Sequence, residues 1–291
     1  MVRTESGPGR YVFVLMVLFL CLPIPASGEK GSLFIIGGGD RPDDMIRKIV
    51  ELAGGEKAVL RVIPNASGAP VETAEYQVNQ FSEFGAPDVD YHFLTREQAD
   101  TDSAVALLDG VTGIFFSGGD QRRLPRDLLG TRFLEAIRNI HRNGGLISGT
   151  SAGAAVMSEL MITGDELRNT EEEKFIDIQQ GNIDYRKGFG FLSTAIIDQH
   201  FIKRKRHNRL ISLVLENPDL PGIGIDESTA IHVKPDSTFE VYGRHTVLVY
   251  DASAATEIST NERGDLSANG IQMHLLQSGQ EFNLKTRTPP K

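Results

Sequence analysis

The chain is nearly devoid of cysteine: it has one, Cys21, in a leader expected to be cut away. A mature chain without thiols builds no disulfide framework, no thiolate nucleophile, no cysteine-ligated zinc and no iron–sulfur cluster. Covalent chemistry then falls to Ser, Thr, Lys or a carboxylate. No HExxH occurs and the seven histidines are scattered, so nothing in the sequence points to a metal or any other cofactor. Positive charge is also in deficit: 30 Lys and Arg against 39 Asp and Glu give a formal charge of −9, which disfavours nucleic acid and anionic membrane as bulk partners.

At the amino end, Arg3 and Arg10 precede the apolar run from Val12 to Leu22, followed by Pro23, Pro25 and the small triplet Ala26-Ser27-Gly28. The run is too short to span a bilayer comfortably. This is the layout of a secretory signal cleaved near Glu29, and Leu18-Phe19-Leu20 before Cys21 lacks the small residues of a lipobox. The expected organisation is a leader over 1–28 and one mature unit over 29–291, secreted or periplasmic, with no membrane attachment after cleavage. With 40% hydrophobic and 24% charged residues the mature unit is expected to be globular. Asn65-Ala66-Ser67 is a glycosylation sequon if the host glycosylates.

From Ser32 onward, short β-branched runs alternate with amphipathic stretches. Leu33 to Ile36, Ala58 to Ile63, Val89 to Leu94, Val111 to Phe116 and Leu146 to Ser148 read as strands. Between them the spacing predicts helices: one from Pro42 capped by Asp40, then Val71 to Phe84, Ser103 to Leu108 and Arg126 to Arg142. That alternation implies an α/β fold with a doubly wound, mostly parallel sheet. Thr163 to Tyr185 is polar and reads as a long loop, followed by a strand at Ala195 to Gln199, a helix from Arg204 to Leu215 and several later strands. Ile271 to Leu284 reads as a final strand or hairpin.

Chemistry concentrates at Gly144 to Ala155. A buried strand runs into Gly149-Thr150-Ser151-Ala152-Gly153 and then a helix, the context that exposes a nucleophilic hydroxyl at the carboxyl edge of a sheet. The helix N-terminus favours negative charge, and the Ala152 N–H is a candidate oxyanion donor. A plain helix cap or a phosphate cradle uses the same residues, so the motif alone leaves the role open. A second turn, Ser117-Gly118-Gly119-Asp120-Gln121, offers Gly118 or Gly119 as another oxyanion donor and Gln121 as a substrate contact. Gly37-Gly38-Gly39 lacks the third glycine of GxGxxG and reads as a tight turn. His200 ends a strand on the same edge and is the best-placed base, with Asp226 or Glu227 as its orienting acid. Among the basic residues Lys203 to Arg209, helical spacing groups Arg204, Arg206 and Arg209 near His200, where guanidinium groups suit capture of a carboxylate; a solvated helix face is the plainer reading.

Four blocks, FFSGGDQ (Phe115 to Gln121), GTSAGAAVMS (Gly149 to Ser158), DQHF (Asp198 to Phe201) and GIGIDESTA (Gly222 to Ala230), resemble the serine peptidase family that holds the cyanophycinases and the aspartyl dipeptidases. The resemblance covers nearly all of the mature chain. It implies a fold like the class I glutamine amidotransferases, with Ser151 as nucleophile, His200 as base, and Glu227 or Glu166 as acid. The implied substrate is an arginine- and aspartate-containing polymer, cyanophycin, or a dipeptide. Arg204, Arg206 and Arg209 would meet its carboxylates, Asp198, Asp120 or the acidic loop its guanidinium groups, and Gln121 and Gln199 match substrate-binding positions. An α-aspartyl dipeptidase, another isopeptidase and a non-catalytic polymer-binding module are the alternatives, and a homodimer is left open.

Overall fold

The computed structural model describes residues 31–168 and 175–290. The expected leader over 1–28, and Glu171 to Glu173 of the acidic loop, lie outside the described residues. The first half of the chain runs β1 (Ser32–Ile36), α1 (Asp43–Leu52), β2 (Val59–Ile63), α2 (Pro70–Glu83), β3 (Asp88–Tyr91), α3 (Arg96–Ala99), α4 (Asp102–Ala106), β4 (Gly113–Phe116), α5 (Arg123–Leu128), α6 (Arg132–Arg142), β5 (Leu146–Thr150) and α7 (Ala152–Ala155). The second half continues with β6 (Leu160–Glu166), β7 (Ile183–Lys187), β8 (Ile196–Gln199), α8 (His207–Glu216), β9 (Gly222–Ile225), β10 (Thr229–Val233), β11 (Thr238–Gly243), β12 (Val247–Asp251), β13 (Thr256–Thr260), β14 (Leu266–Asn269), β15 (Gln272–Leu276) and β16 (Glu281–Asn283).

The central sheet has eight strands in the order β16-β11-β10-β1-β5-β4-β2-β3. The stretch β1-β5-β4-β2-β3 is parallel, and β10, β11 and β16 extend it antiparallel. Successive side chains of a strand point to opposite faces, so a strand buried on both sides must be apolar throughout. In β1, Phe34 and Ile36 pack with Met45, Ile46 and Ile49 of α1 and Phe81 of α2. Leu33 and Ile35 join the opposite layer, which contains Phe133, Leu134 and Ile137 of α6. The sheet is therefore covered on both faces, as the alternation of elements predicts.

A second sheet, β15-β12-β9-β8, packs beside the first. Ile197, Ile223 and Val249 join the core that contains Ile231 and Val241 of the central sheet, whereas Ile196, Leu248 and Tyr250 pack under Leu210, Leu213 and Val214 of α8. His200 thus follows a strand of the second sheet, not of the first.

Several expectations are corrected. Asp40 caps nothing: α1 starts at Asp43 after an extended Pro42, with no side-chain cap. The helix expected over Arg126 to Arg142 is two helices, because Gly130 turns at φ +82° and Thr131 starts α6 by accepting a hydrogen bond from the Leu134 N–H. The polar segment from Thr163 contains half of the β6–β7 antiparallel pair, whose Met161, Ile162 and Ile183 are buried. The helix expected from Arg204 begins at His207, leaving Arg204 in a turn. Ile271 to Leu284 is no hairpin, since β15 pairs with β12 and β16 with β11 in the other sheet. Asn65 of the sequon is buried, its amide donating to Leu94 O and Asp127 Oδ2, so it is closed to a glycan.

Candidate active site

Ser151 sits at the corner between β5 and α7 with φ +54° and ψ −107°. A serine in that region is strained, and the strain turns its hydroxyl out of the strand line. Two contacts hold the corner. The Ser151 N–H donates to Ile36 O at 3.0 Å, and Gly153 lies so close to β4 that an added Cβ would sit 2.2 Å from Phe116 O. The backbone of Gly118 borders the same corner, with room for a Cβ only 3.4 Å from that of Ser151.

The structure brings together Ser151, His200 and Glu227. Ser151 Oγ lies 2.9 Å from His200 Nε2, and His200 Nδ1 lies 2.7 Å from Glu227 Oε1. An ionised carboxylate only accepts hydrogen bonds, so Nδ1 carries the ring proton and Nε2 is left to accept from the serine hydroxyl. His200, like Ser151, has positive φ, at +47°.

The parts that assemble this relay were read in the sequence only as a tight turn. The Gly37 carbonyl accepts from the His200 N–H at 2.7 Å, and the Gly38 carbonyl accepts from the Ser228 N–H, next to Glu227, at 2.8 Å. Gly38 has φ +106° and lies against the imidazole, where a Cβ would stand 2.3 Å from Cε1; one at Gly39 would stand 2.8 Å from Glu227 Cβ. Three glycines in a row directly after a buried strand were the available signal. Their lack of side chains lets one loop touch two members of the relay.

The electrostatics suit a base. Burial pushes the His200 pKa below its ordinary value, and the neighbouring Arg204 and Arg206 push the same way, outweighing the Glu227 carboxylate that raises it. Glu227 is held below the usual carboxylate range, chiefly by its hydrogen bond with His200. At neutral pH the pair is therefore a neutral imidazole oriented by a carboxylate, and a hydroxyl that gives its proton to such an imidazole becomes a nucleophile.

Most of the other expected site residues are otherwise engaged. Glu166 lies in β6, not in a loop; it is buried and accepts from Asn182 Nδ2 at 2.5 Å and the Phe175 N–H at 2.9 Å, so it does not orient His200. Asp198 and Arg209, expected at the substrate, form a buried bidentate pair with each other, with Arg209 Nε 2.7 Å from Asp198 Oδ2 and Nη2 bonded to Oδ1. Arg206 Nη1 donates to Gln199 O at 2.6 Å and Oε1 at 2.7 Å, and burial lowers its pKa to about 10. Gln121 is a tether, donating to Ile162 O and Thr163 O at 3.0 and 2.6 Å. Asp120 pairs with Arg122, which also reaches Asp165. Arg204 is exposed and forms no ion pair among the described residues. Gly119 is jammed against Ala66 O at φ +139°. Ala152 begins a helix of only four residues, so any oxyanion stabilisation there comes from single N–H groups and not from a macrodipole.

An α/β sheet that presents a serine, an imidazole and a carboxylate in hydrogen-bonded series defines a serine hydrolase scaffold. The model of peptidase family S51 matches residues 33–241, and the chain belongs to that family of serine-type peptidases. It is 34% identical over 267 residues to a protein of Nostoc sp. named cyanophycinase, covering 89% of this chain and 87% of the other. A cyanophycinase of Synechococcus elongatus is also 34% identical, with 89% and 81% covered. The crystal structure of a peptidase from an acI-B1 Actinobacterium shares the fold, with a TM-score of 0.63 at 22% identity, covering 88% of this chain and 98% of the other.

Gly38→Ala drives a methyl group into the imidazole and should lower kcat/KM on any ester or peptide substrate by at least about 100-fold, the order of loss for roughly 1 Å of misplacement, while circular dichroism stays native. The acid limb of kcat/KM should lie below pH 6.5, since activity needs neutral His200 and its pKa is lowered. Arg204→Gln removes a lowering charge and should move that limb to higher pH, whereas Glu227→Gln should move it lower and reduce kcat; pH–rate profiles on a neutral ester read both shifts.

Proposed function

We propose that the chain is an exported serine exopeptidase that hydrolyses cyanophycin to β-aspartyl-arginine dipeptides. The carrying observation is the Ser151–His200–Glu227 relay, and the cyanophycinase relatives support the choice of polymer. Ser151 Oγ attacks the scissile backbone carbonyl carbon while His200 Nε2 takes its proton and Glu227 steadies the imidazolium. The N–H groups of Ala152 and of Gly118 or Gly119 receive the oxyanion. Collapse of the tetrahedral intermediate breaks the C–N bond, and His200 returns the proton to the departing amine. Water, deprotonated by His200, then hydrolyses the acyl ester on Ser151. Arg204, exposed beside the base and without an ion pair among the described residues, is left to meet a substrate carboxylate, whereas Asp120 is already paired with Arg122.

Export rests on the leader: Arg3 and Arg10, the run from Val12 to Leu22, and Ala26-Ser27-Gly28. The 29–291 unit would then act as one secreted or periplasmic body on polymer outside the cytoplasm. Mass analysis of the protein recovered from the periplasm or medium should give a chain beginning near Glu29; a full-length chain in the cytoplasm refutes export.

Incubating the purified mature protein with cyanophycin should release β-aspartyl-arginine, detected by mass spectrometry. Ser151→Ala should abolish that release, a loss of about 10⁴-fold or more as for other triad serines, with an unchanged melting temperature. Turnover of Asp-X dipeptides with the polymer untouched would favour an aspartyl dipeptidase instead. Polymer binding without any turnover or labelling of Ser151 would favour a binding module.

A further inference from the structure

Arg41 comes two residues after Gly39, the glycine packed on Glu227. Its guanidinium reaches over the Phe115 ring, 5.5 Å from the centroid, and its Nε and Nη2 donate to Gln80 Oε1 of α2 at 3.1 and 2.6 Å. Phe115 leads in three residues to Gly118 at the edge of Ser151, and Gln77, one turn before Gln80, accepts from Ser117 Oγ at 2.6 Å. Arg41, this face of α2 and the 117–118 turn are thus linked contact by contact to the edge of the nucleophile.

Arg41 is held by a neutral partner. Gln80 Nε2 donates to Tyr76 Oη at 3.4 Å, which turns the amide oxygen toward the guanidinium. An amide oxygen satisfies hydrogen bonds but not charge. Among the described residues no carboxylate lies within ion-pair distance of Arg41, whereas Arg61, Arg122, Arg126 and Arg209 each have one. Arg41 is half-buried and its Nη1 makes no hydrogen bond among the described residues. Burial lowers its pKa, and the charge of the neighbouring Asp40 acts on it only from beyond ion-pair distance, so a partly desolvated cation held in fixed orientation keeps donor capacity for a carboxylate that a ligand brings.

We propose that Arg41, seated on Gln80, is the anchor of a carboxylate subsite separate from Arg204, and that it binds a free carboxylate of the peptide substrate. The proposal rests on the peptidase reading above and adds a recognition element to it. The chemistry it selects is an anionic peptide, as a chain of arginine-capped aspartates is, over one whose carboxylates are blocked.

The test compares the mature wild-type protein with Arg41→Gln, Arg41→Lys and Gln80→Glu on a short arginyl-aspartate peptide with free carboxylates and on the same peptide with its carboxylates amidated. Arg41→Gln should raise KM for the free peptide about 10- to 100-fold, the loss usual for a hydrogen-bonded charge pair, with kcat nearly unchanged. KM for the amidated peptide should not move. Arg41→Lys should recover part of the loss. Gln80→Glu keeps Arg41 but gives it an internal counter-ion, and should raise KM for the free peptide alone, an effect that a merely structural arginine would not show. Calorimetry of the β-aspartyl-arginine dipeptide with Ser151→Ala, alone and combined with Arg41→Gln, should show the same factor in Kd. Equal losses on both peptides, or an unchanged KM and Kd, overturn the subsite. If the wild-type protein cleaves neither peptide but dipeptide binding still depends on Arg41, the subsite stands and the peptidase assignment to this substrate falls.

Discussion

The site depends on a short stretch of backbone at the end of β1, most of it glycine. The carbonyls of Ile36, Gly37 and Gly38 accept from Ser151, His200 and Ser228, so one strand end of the central sheet fixes the nucleophile, the base and the neighbour of the acid. Any Cβ at Gly37, Gly38 or Gly39 would meet heavy atoms at under 3.0 Å, among them Asp226 O, the His200 ring and Glu227 Cβ. Such close backbone approach is open only to glycine, and it makes the relay a property of two sheets docked against each other.

Charge buried behind the relay serves a different purpose from charge on its rim. Asp198 and Arg209 are both almost wholly buried, and taking such ions out of water is repaid only when geometry and hydrogen bonds are good. Their bidentate pairing, and the hold of Arg206 on both oxygens of Gln199, brace the two residues that precede His200. The arginines that look alike in sequence thus divide by burial: Arg209 and Arg206 support the base from behind, while Arg204 stands in solvent beside it. Arg204 and Arg206 also stay within electrostatic reach of the imidazole and help keep it neutral.

Much of the fold was legible because its signals are local. Leu33 to Ile36 and Leu146 to Ser148 read as buried strands, and the amphipathic stripe of Met45, Ile46, Ile49 and Val50 marks α1. The break at Gly130, the antiparallel use of Leu160 to Lys187 and the separate fates of β15 and β16 were not legible. Each turns on which distant strand or helix a segment packs against, and a short polar run carries the same pattern in a loop as in an edge hairpin. Glu166 shows the same limit: the resemblance offers it as an acid, but its partners Asn182 and Phe175 are chosen by the hairpin that buries it.

By itself the sequence determined the chemistry on offer: no thiol beyond Cys21, a serine at a strand-to-helix corner, a histidine at another strand end, and a family of motifs in fixed order. These are covalent facts and local propensities, which need no partner to be read. Only the tertiary structure decided that Glu227 and not Glu166 or Asp226 meets the imidazole, that Arg209 is sealed against Asp198, and that, among the described residues, Arg41 has no carboxylate within ion-pair distance. Those outcomes depend on burial and on angstrom-scale distances between segments far apart in the chain, and a hydrogen bond or an ion pair exists only once packing has set that distance.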